Sequence, residues 1–454
     1  MKRVLFYLAI LIFLGSCGGS GNGELVGVQD RSPFYQPVPY GMAYIPLGSY
    51  TMGVGEEDVY YAKVSQPKTV TIAAFYMDET EITNNEYRQF VYWVRDSVAR
   101  TLLGDILPED YLIEEDKKTG EMYDPPFLNW SKKIDWQGEE ERDVLEEMFL
   151  PENERFFRKK EIDTRKLNYE YYWVDLMAAA KKDYSSDGDH EAGGYANRPQ
   201  GLQDRSVYVR KEKINVYPDT LCWLFDYSYS FNSPLTQKYF WHPAFDNYPV
   251  VGVNWRQAKG FCVWRTQMKN SHLASRKGEA AIHDFRLPTE AEWEWAARGS
   301  HDFNPYPWGG PYTRNDKGCF LGNYKPLRGN YTDDGGATTI IVAHYPPNDW
   351  GLYDMSGNVA EWTVDAFDES AVNFTWDLNP TYEYNAKVDD PAVLKRKVIR
   401  GGSWKDVGYY MQVASRTYEY QDTAKAFIGF RCVQTYLGRQ MDDNPAKASK
   451  IYNK

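Results

Sequence analysis

Arg286-Leu287-Pro288-Thr289-Glu290-Ala291-Glu292-Trp293-Glu294 is the stretch on which the reading of this chain turns. Thr289 and Glu292 stand at the spacing of a capping box, in which hydroxyl and carboxylate satisfy each other's backbone N–H groups at a helix start. Pro288 precedes the box, and Trp293, Ala296 and Ala297 fall on one face of the turn that follows, so a helix burying an indole is predicted. Thr83-Asn84-Asn85-Glu86 repeats the device. There Tyr87, Phe90, Val91 and Val94 continue at i, i+3, i+4 and i+7, which predicts a helix from about Asn84 to Arg95. A third helix is predicted to start at Asn254, capped by its own side chain, and to bury Ala258, Phe261 and Cys262. That makes Cys262 a core thiol and not a nucleophile.

Outward from these helices the text is glycine, proline and aromatic residues. Met42 to Met52, Val70 to Met77 and Lys397 to Arg400 read as short strands, and much of Gly299 to Asn348 reads as loop. A loop that long inside a domain points to function or bound ions. Residues 96–245 differ from their surroundings in charge and ring content, as in Glu139 to Arg142, Tyr169 to Trp173 and the polar patch Asp183 to Gly194. They read as a large insertion, part helical and part loop, with the composition of a docking surface; a surface embellishment is the alternative. Residues 438–454 read as a polar, disordered tail. Asp78, Glu79 and Glu81 read as caps and salt-bridge partners.

The first residues carry a different message. Lys2 and Arg3 precede an apolar run from Val4 to Leu14, which ends in Leu14-Gly15-Ser16-Cys17. This is the layout of a secretory leader, and the run is shorter than the roughly 20 residues that span a bilayer. An aliphatic residue, two small ones and a cysteine form a bacterial lipobox, so 1–16 reads as a lipoprotein signal peptide and Cys17 as the lipidated residue. Residues 17–40 then read as a flexible tether, glycine-rich from Gly18 to Gly23. Three acyl chains on one N-terminus hold a protein stably at a membrane. The expected place is the periplasmic face of the outer membrane.

Tyr, Phe and Trp make up 16% of a chain that is 43% hydrophobic, a composition suited to an irregular core. Formal net charge is −12, more negative still once Lys2 and Arg3 leave, which argues against nucleic acid and anionic lipid as partners. Besides Cys17, the cysteines are Cys222, Cys262, Cys319 and Cys432, with no C-x-x-C pair. No zinc, haem, H-E-x-x-H, G-x-S-x-G or phosphate-loop pattern is present.

Eight segments, taken in order, resemble the formylglycine-generating, or sulfatase-modifying-factor, family. They are Met42 to Gly53, Phe75 to Asn84, Pro249 to Trp255, Arg286 to Glu294, Pro307 to Gly309, Gly351 to Trp362, Arg400 to Trp404, and Ile428 to Arg431. The resemblance implies one α+β domain over 41–437, distantly like C-type lectins, with little regular secondary structure. It also implies calcium in the loops: one site from Asn323, the carbonyl of Tyr324 and Asp334, and another from Asn358, the carbonyl of Val359 and Glu361. Oxygen donors on loops suit that ion, although Asp334 and Asn358 also read as ordinary turn residues.

Active members of the family hold copper with two cysteines placed just after the R-G-G-S-[WY] motif, thiolates being the soft donors that select cuprous ion. The matching positions here are Asp406 and Met411, so no copper and no oxidase reaction are expected. Tyr87 to Ser97 and the lipobox further resemble the GldK/PorK lipoproteins of type IX protein secretion and gliding motility. That resemblance implies a noncatalytic subunit, a pseudoenzyme, forming a homo-oligomeric periplasmic ring with the partner GldN/PorN and other secretion subunits. Two other functions stay open: a diverged metal-dependent oxidase, and a binder of glycan or peptidoglycan.

Overall fold

A computed structural model describes residues 36–53, 66–116, 119–180, 205–276 and 280–438. The leader, Cys17 and most of the tether, the polar patch at 183–194 and nearly all of the tail lie outside them. Both expected capping boxes form, and the expected cap at Asn254 is part of a third. Thr83, Asn254 and Thr289 each accept from the backbone N–H three residues on, and Glu86, Gln257 and Glu292 reach back to the cap N–H. The helices they start are α1 (Asn84–Gly104), α2 (Trp255–Ala274) and α3 (Glu290–Arg298). α1 runs well past the expected end near Arg95. Its buried face continues through Ala99 and Leu103, which pack with Tyr111, Leu145 and Met148. Residue 96 therefore lies within a helix rather than at an element boundary.

The two longer strands expected near the N-terminus each divide in two. Met42–Ile45 (β1) and Gly48–Met52 (β2) part at Pro46, which has no N–H to give a ladder; Lys68–Ile72 (β3) and Phe75–Asp78 (β4) part at the two alanines between them. The division sends the halves to different sheets, since β2 pairs with β3 while β1 pairs with β4.

Two four-stranded sheets carry the centre. One has the order β1-β4-β14-β9, where β9 is Phe285–Arg286 and β14 is Val433–Thr435. The other has the order β12-β11-β10-β13, built from Ala360–Ala366 (β10), Arg396–Arg400 (β11), Thr417–Tyr420 (β12) and Ile428–Gly429 (β13). Residues 299–348 hold no named strand or helix. Fold class is thus α+β with modest regular structure, and among the described residues no helix is long and apolar enough to cross a membrane.

The main core joins Tyr87, Phe90 and Val94 of α1 to Phe261 and Trp264 of α2, with Trp362 and Phe430 from the second sheet's neighbourhood. Tyr87 stacks on Phe261 at 5.6 Å, and Phe90 meets Tyr169 edge-on at 5.2 Å. Tyr169 belongs to a hairpin, β7 (Asn168–Val174) with β8 (Val209–Asn215), that also buries Tyr171 and Ile214. A Cβ at Gly260 of α2 would stand 2.2 Å from Ile214 Cδ1, so the tip of that side chain rests in the space the glycine leaves. Trp223, Tyr239 and Phe240 enter the same core. The stretch read as an insertion is therefore partly core. It also carries open rings, among them Phe157, Phe225, Tyr229 and Phe231.

Phe90→Ala removes a fully buried ring and should lower the unfolding free energy by about 3–5 kcal/mol. Tyr92→Ala, on the open face of the same helix, should stay within about 0.5 kcal/mol. Urea denaturation of both variants checks this, and equal effects would contradict the assigned core face.

Candidate functional site

Long loops without ladders must be held by side chains, and here two asparagines do much of the holding. Asn358 N–H donates to Asn323 O at 2.8 Å, and Asn323 Nδ2 donates to Asn358 Oδ1 at 3.2 Å and to Thr338 O at 2.9 Å. Gly357 makes the approach possible: its φ is +90°, and a Cβ there would come 2.5 Å from Asn323 O. Asn358 Nδ2 donates to Glu81 Oε2 at 2.7 Å, and its Oδ1 also accepts from Ile340 N–H at 3.0 Å. Three separate segments are thereby fastened to one amide.

Of the first expected calcium set, Asn323 and Asp334 lie near each other, through Gly336 and the Tyr324 N–H. Asp334 accepts from Tyr324 N–H at 2.6 Å and from Gly336 N–H at 3.3 Å. Asn323 Oδ1 is buried with no hydrogen-bond partner, and it lies 3.0 Å from where a Cβ on Gly336 would sit. Burial pushes the Asp334 carboxyl up. An orphaned amide oxygen beside a desolvated carboxylate is a donor set that fits a hard cation.

The second expected set is arranged otherwise. Both oxygens of Glu361 accept from Arg431, at 2.6 to 2.9 Å, and one also accepts from Trp293 Nε1 at 2.7 Å. Asn358 has its side chain fully engaged, as described above. These two residues alone do not fit a cation. The oxygen left over belongs to Asp354, which the sequence reading missed although it lies in the same motif. Its Oδ2 accepts from Ala343 N–H at 2.6 Å while Oδ1 is buried without a partner.

Asp354, Glu361 and the fully buried Glu81 influence one another, with Arg431 as the cation among them. Burial first, then Asp354 and Glu361, pushes Glu81 well above the usual carboxylate range. Burial likewise holds Asp354 up at about 6. Burial and the neighbouring carboxylates favour the protonated form of Glu81, and burial that of Asp354. Among the described residues no three His, Cys, Asp or Glu side chains converge as a metal cluster, so amide and carbonyl oxygens would have to complete any shell.

The two positions matched to copper ligands are built as ordinary structure. Asp406 accepts from Ser403 Oγ at 2.6 Å, and burial pushes its carboxyl up. Met411 is fully buried with Tyr306 and Tyr324, and Trp308 and Phe320 pack against the group. A Cβ at Gly322 would come 2.7 Å from its Cε. Cys222, Cys262 and Cys432 are buried and Cys319 is exposed. Cys262 and Cys432 place their sulfurs 3.4 Å apart, and burial pushes the thiols of Cys222 and Cys432 up, which disfavours thiolate.

Asp354 gives this site a pH signature. A carboxyl whose folded value lies above its ordinary 3.8 adds stability below pH 4 and loses it as pH rises through about 6. The loss is up to roughly 3 kcal/mol. Asp354→Asn should flatten that part of the stability–pH curve, and added calcium should raise the wild-type melting temperature more at pH 7 than at pH 5. Calorimetry across this range checks both, and an unchanged curve in the variant would contradict the assignment.

The chain is similar to several known proteins. The family model described as "Sulfatase-modifying factor enzyme 1-like domain" matches residues 30–153 and 223–436, leaving 154–222, with the β7–β8 hairpin, between its two parts. A formylglycine-generating enzyme of Bos taurus is 30% identical over 447 residues, covering 93% of this chain and 87% of that one. The "Inactive C-alpha-formylglycine-generating enzyme 2" of the same species is 32% identical over 191 residues, 41% of this chain; the match spans half of the relative's length. Among solved structures, PvdO from Pseudomonas aeruginosa aligns over 89% of this chain and all of its own, at 15% identity and a TM-score of 0.44. With its motifs in order and the model matched over most of its length, the chain belongs to the sulfatase-modifying-factor family.

Proposed function

We propose that this chain is a noncatalytic structural lipoprotein of the type IX secretion and gliding machinery. It is anchored through Cys17 at the periplasmic face of the outer membrane and assembles with copies of itself and the partner GldN/PorN into a ring. One observation carries the loss of catalysis: a carboxylate and a thioether, Asp406 and Met411, occupy the positions matched to two copper-binding thiolates. A hard carboxylate and one neutral thioether cannot supply the same two-thiolate site for cuprous ion. The hydrogen bond of Asp406 to Ser403 and the burial of Met411 among rings support a structural role for both. That some relatives carry the word inactive in their names supports the same reading.

Calcium belongs to the proposal as a brace. Asn323, Tyr324 and Asp334 would hold one ion, and Asp354, whose Oδ1 is buried without a partner, is the better candidate for a second than Asn358 with Glu361. The lipobox and the likeness of Tyr87 to Ser97 to the secretion lipoproteins support the anchor and the partner. The open rings at Phe157, Phe225, Tyr229 and Phe231 support docking.

Purified chain supplied with copper, oxygen and a cysteine peptide should yield no aldehyde by mass spectrometry; turnover would overturn the reading. Affinity isolation of the lipoprotein from membranes should recover one abundant periplasmic partner in a large symmetric assembly. Cys17→Ala should release the protein from membranes, and retention of that variant would contradict the anchor.

A further inference from the structure

A cleft of about 400 Å³ opens between the β7–β8 hairpin, the start of α2 and the loop at 385–388, away from the asparagine hub and from Asp406 and Met411. Its walls hold one ring locked in place. Trp173 Nε1 donates to Glu212 Oε1 at 2.6 Å, the other oxygen of Glu212 accepts from Tyr171 O–H at 2.6 Å, and Lys259 Nζ stands 4.0 Å from the centre of the Trp173 ring. Arg256 is fixed as well, by Asp422 at 2.9 Å and by Ala386 O at 3.3 Å. A site assembled beforehand loses little entropy when a ligand enters.

Two groups in this cleft lack partners of opposite kinds. Gln421 is almost wholly buried; its Nε2 donates to Ala386 O at 3.0 Å, while Oε1 has no hydrogen-bond partner. Such an acceptor calls for an O–H or N–H donor. Lys387 is exposed on the rim, and its ammonium has no ion-pair partner among the described residues. Of the other basic side chains in the lining, Arg210 pairs with Asp175 at 3.7 Å, Lys211 with Glu170 at 2.6 Å and Arg256 with Asp422 at 2.9 Å, which leaves the Lys387 ammonium as the one uncompensated cation among the described lining residues. An unpaired ammonium at the mouth of a cleft offers an anion one charge-assisted contact.

We infer that this cleft binds a carboxylate-bearing sugar of an acidic glycan. One pyranose ring meets all three features together. Its C–H face packs on Trp173, a hydroxyl donates to Gln421, and the carboxylate reaches Lys387 and Arg256. A flexible acidic peptide could supply the charge but would have to order several bonds to present the rest. The site does not depend on the secretion reading, because it can be assayed on the purified chain alone.

The test titrates detergent-solubilised full chain with trigalacturonate, with the neutral galactose trisaccharide and with a tri-glutamate peptide, followed by calorimetry and indole fluorescence. Saturable binding of the acidic sugar is expected, at least tenfold tighter than that of either control. Trp173→Ala should abolish it, and Lys387→Glu, on an exposed loop, should weaken it at least tenfold while leaving circular dichroism and melting unchanged. The inference is overturned if trigalacturonate does not saturate, if a control binds equally well, or if Lys387→Glu binds as the parent does.

Discussion

The structure depends most on one buried ion pair. Arg431 grips both oxygens of Glu361, and its remaining N–H groups donate to the carbonyls of Asp78, Glu79 and Tyr353 at 2.9 to 3.3 Å. Glu361 lies on β10, Asp78 ends β4, Arg431 follows β13, and Trp293 of α3 donates to the same carboxylate. The two sheets, the third helix and the 351–359 loop therefore meet at one guanidinium. Removing either partner of such a pair strands a charge in the core, at a cost of about 3–5 kcal/mol. A second ionic group steadies the same helix, where Glu294 pairs with Arg298 and Arg400, and Glu290 with Arg416.

Much of this frame was legible beforehand because its signals are local. Capping boxes are written within four residues, so the starts at Thr83, Asn254 and Thr289 and the burial of Phe90, Phe261 and Trp293 could be read directly. Helix ends are written less locally. The extension of α1 to Gly104 depends on Tyr111, Leu145 and Met148, whose apolar contacts cannot be inferred from periodicity near Arg95. The divided strands were blurred for a similar reason, since Pro46 marks a break but does not say which sheet each half will join.

The candidate site was legible in its residue types and only partly in its connections. Asn323 and Asp334 do come together, through Gly336 and the Tyr324 N–H. Glu361 was read as a cation ligand beside Asn358, whereas its charge is met by Arg431, a residue 70 positions away. Asp354 was passed over because a lone aspartate in a turn looks ordinary, and its significance comes from burial and an unused oxygen that only packing creates. The Trp173 cleft escaped for the same reason: Gln421, Arg256 and Lys387 are far apart in the chain and meet only when the hairpin seats over Gly260.

Burying so many polar groups looks wasteful until the loops are considered. Residues 299–348 have no ladder to set their register, and apolar contact is nondirectional, so it cannot distinguish one loop path from its neighbours. Hydrogen bonds with fixed geometry can. Asn358, Asn323, Glu81 and Arg431 each tie segments distant in sequence, and each has angles that an altered path would break. These ties do not involve the side chains of Asp406 or Met411. The hub's hydrogen bonds are thus formed without the two side chains, while Met411 adds apolar packing to the same loops against Tyr306 and Tyr324.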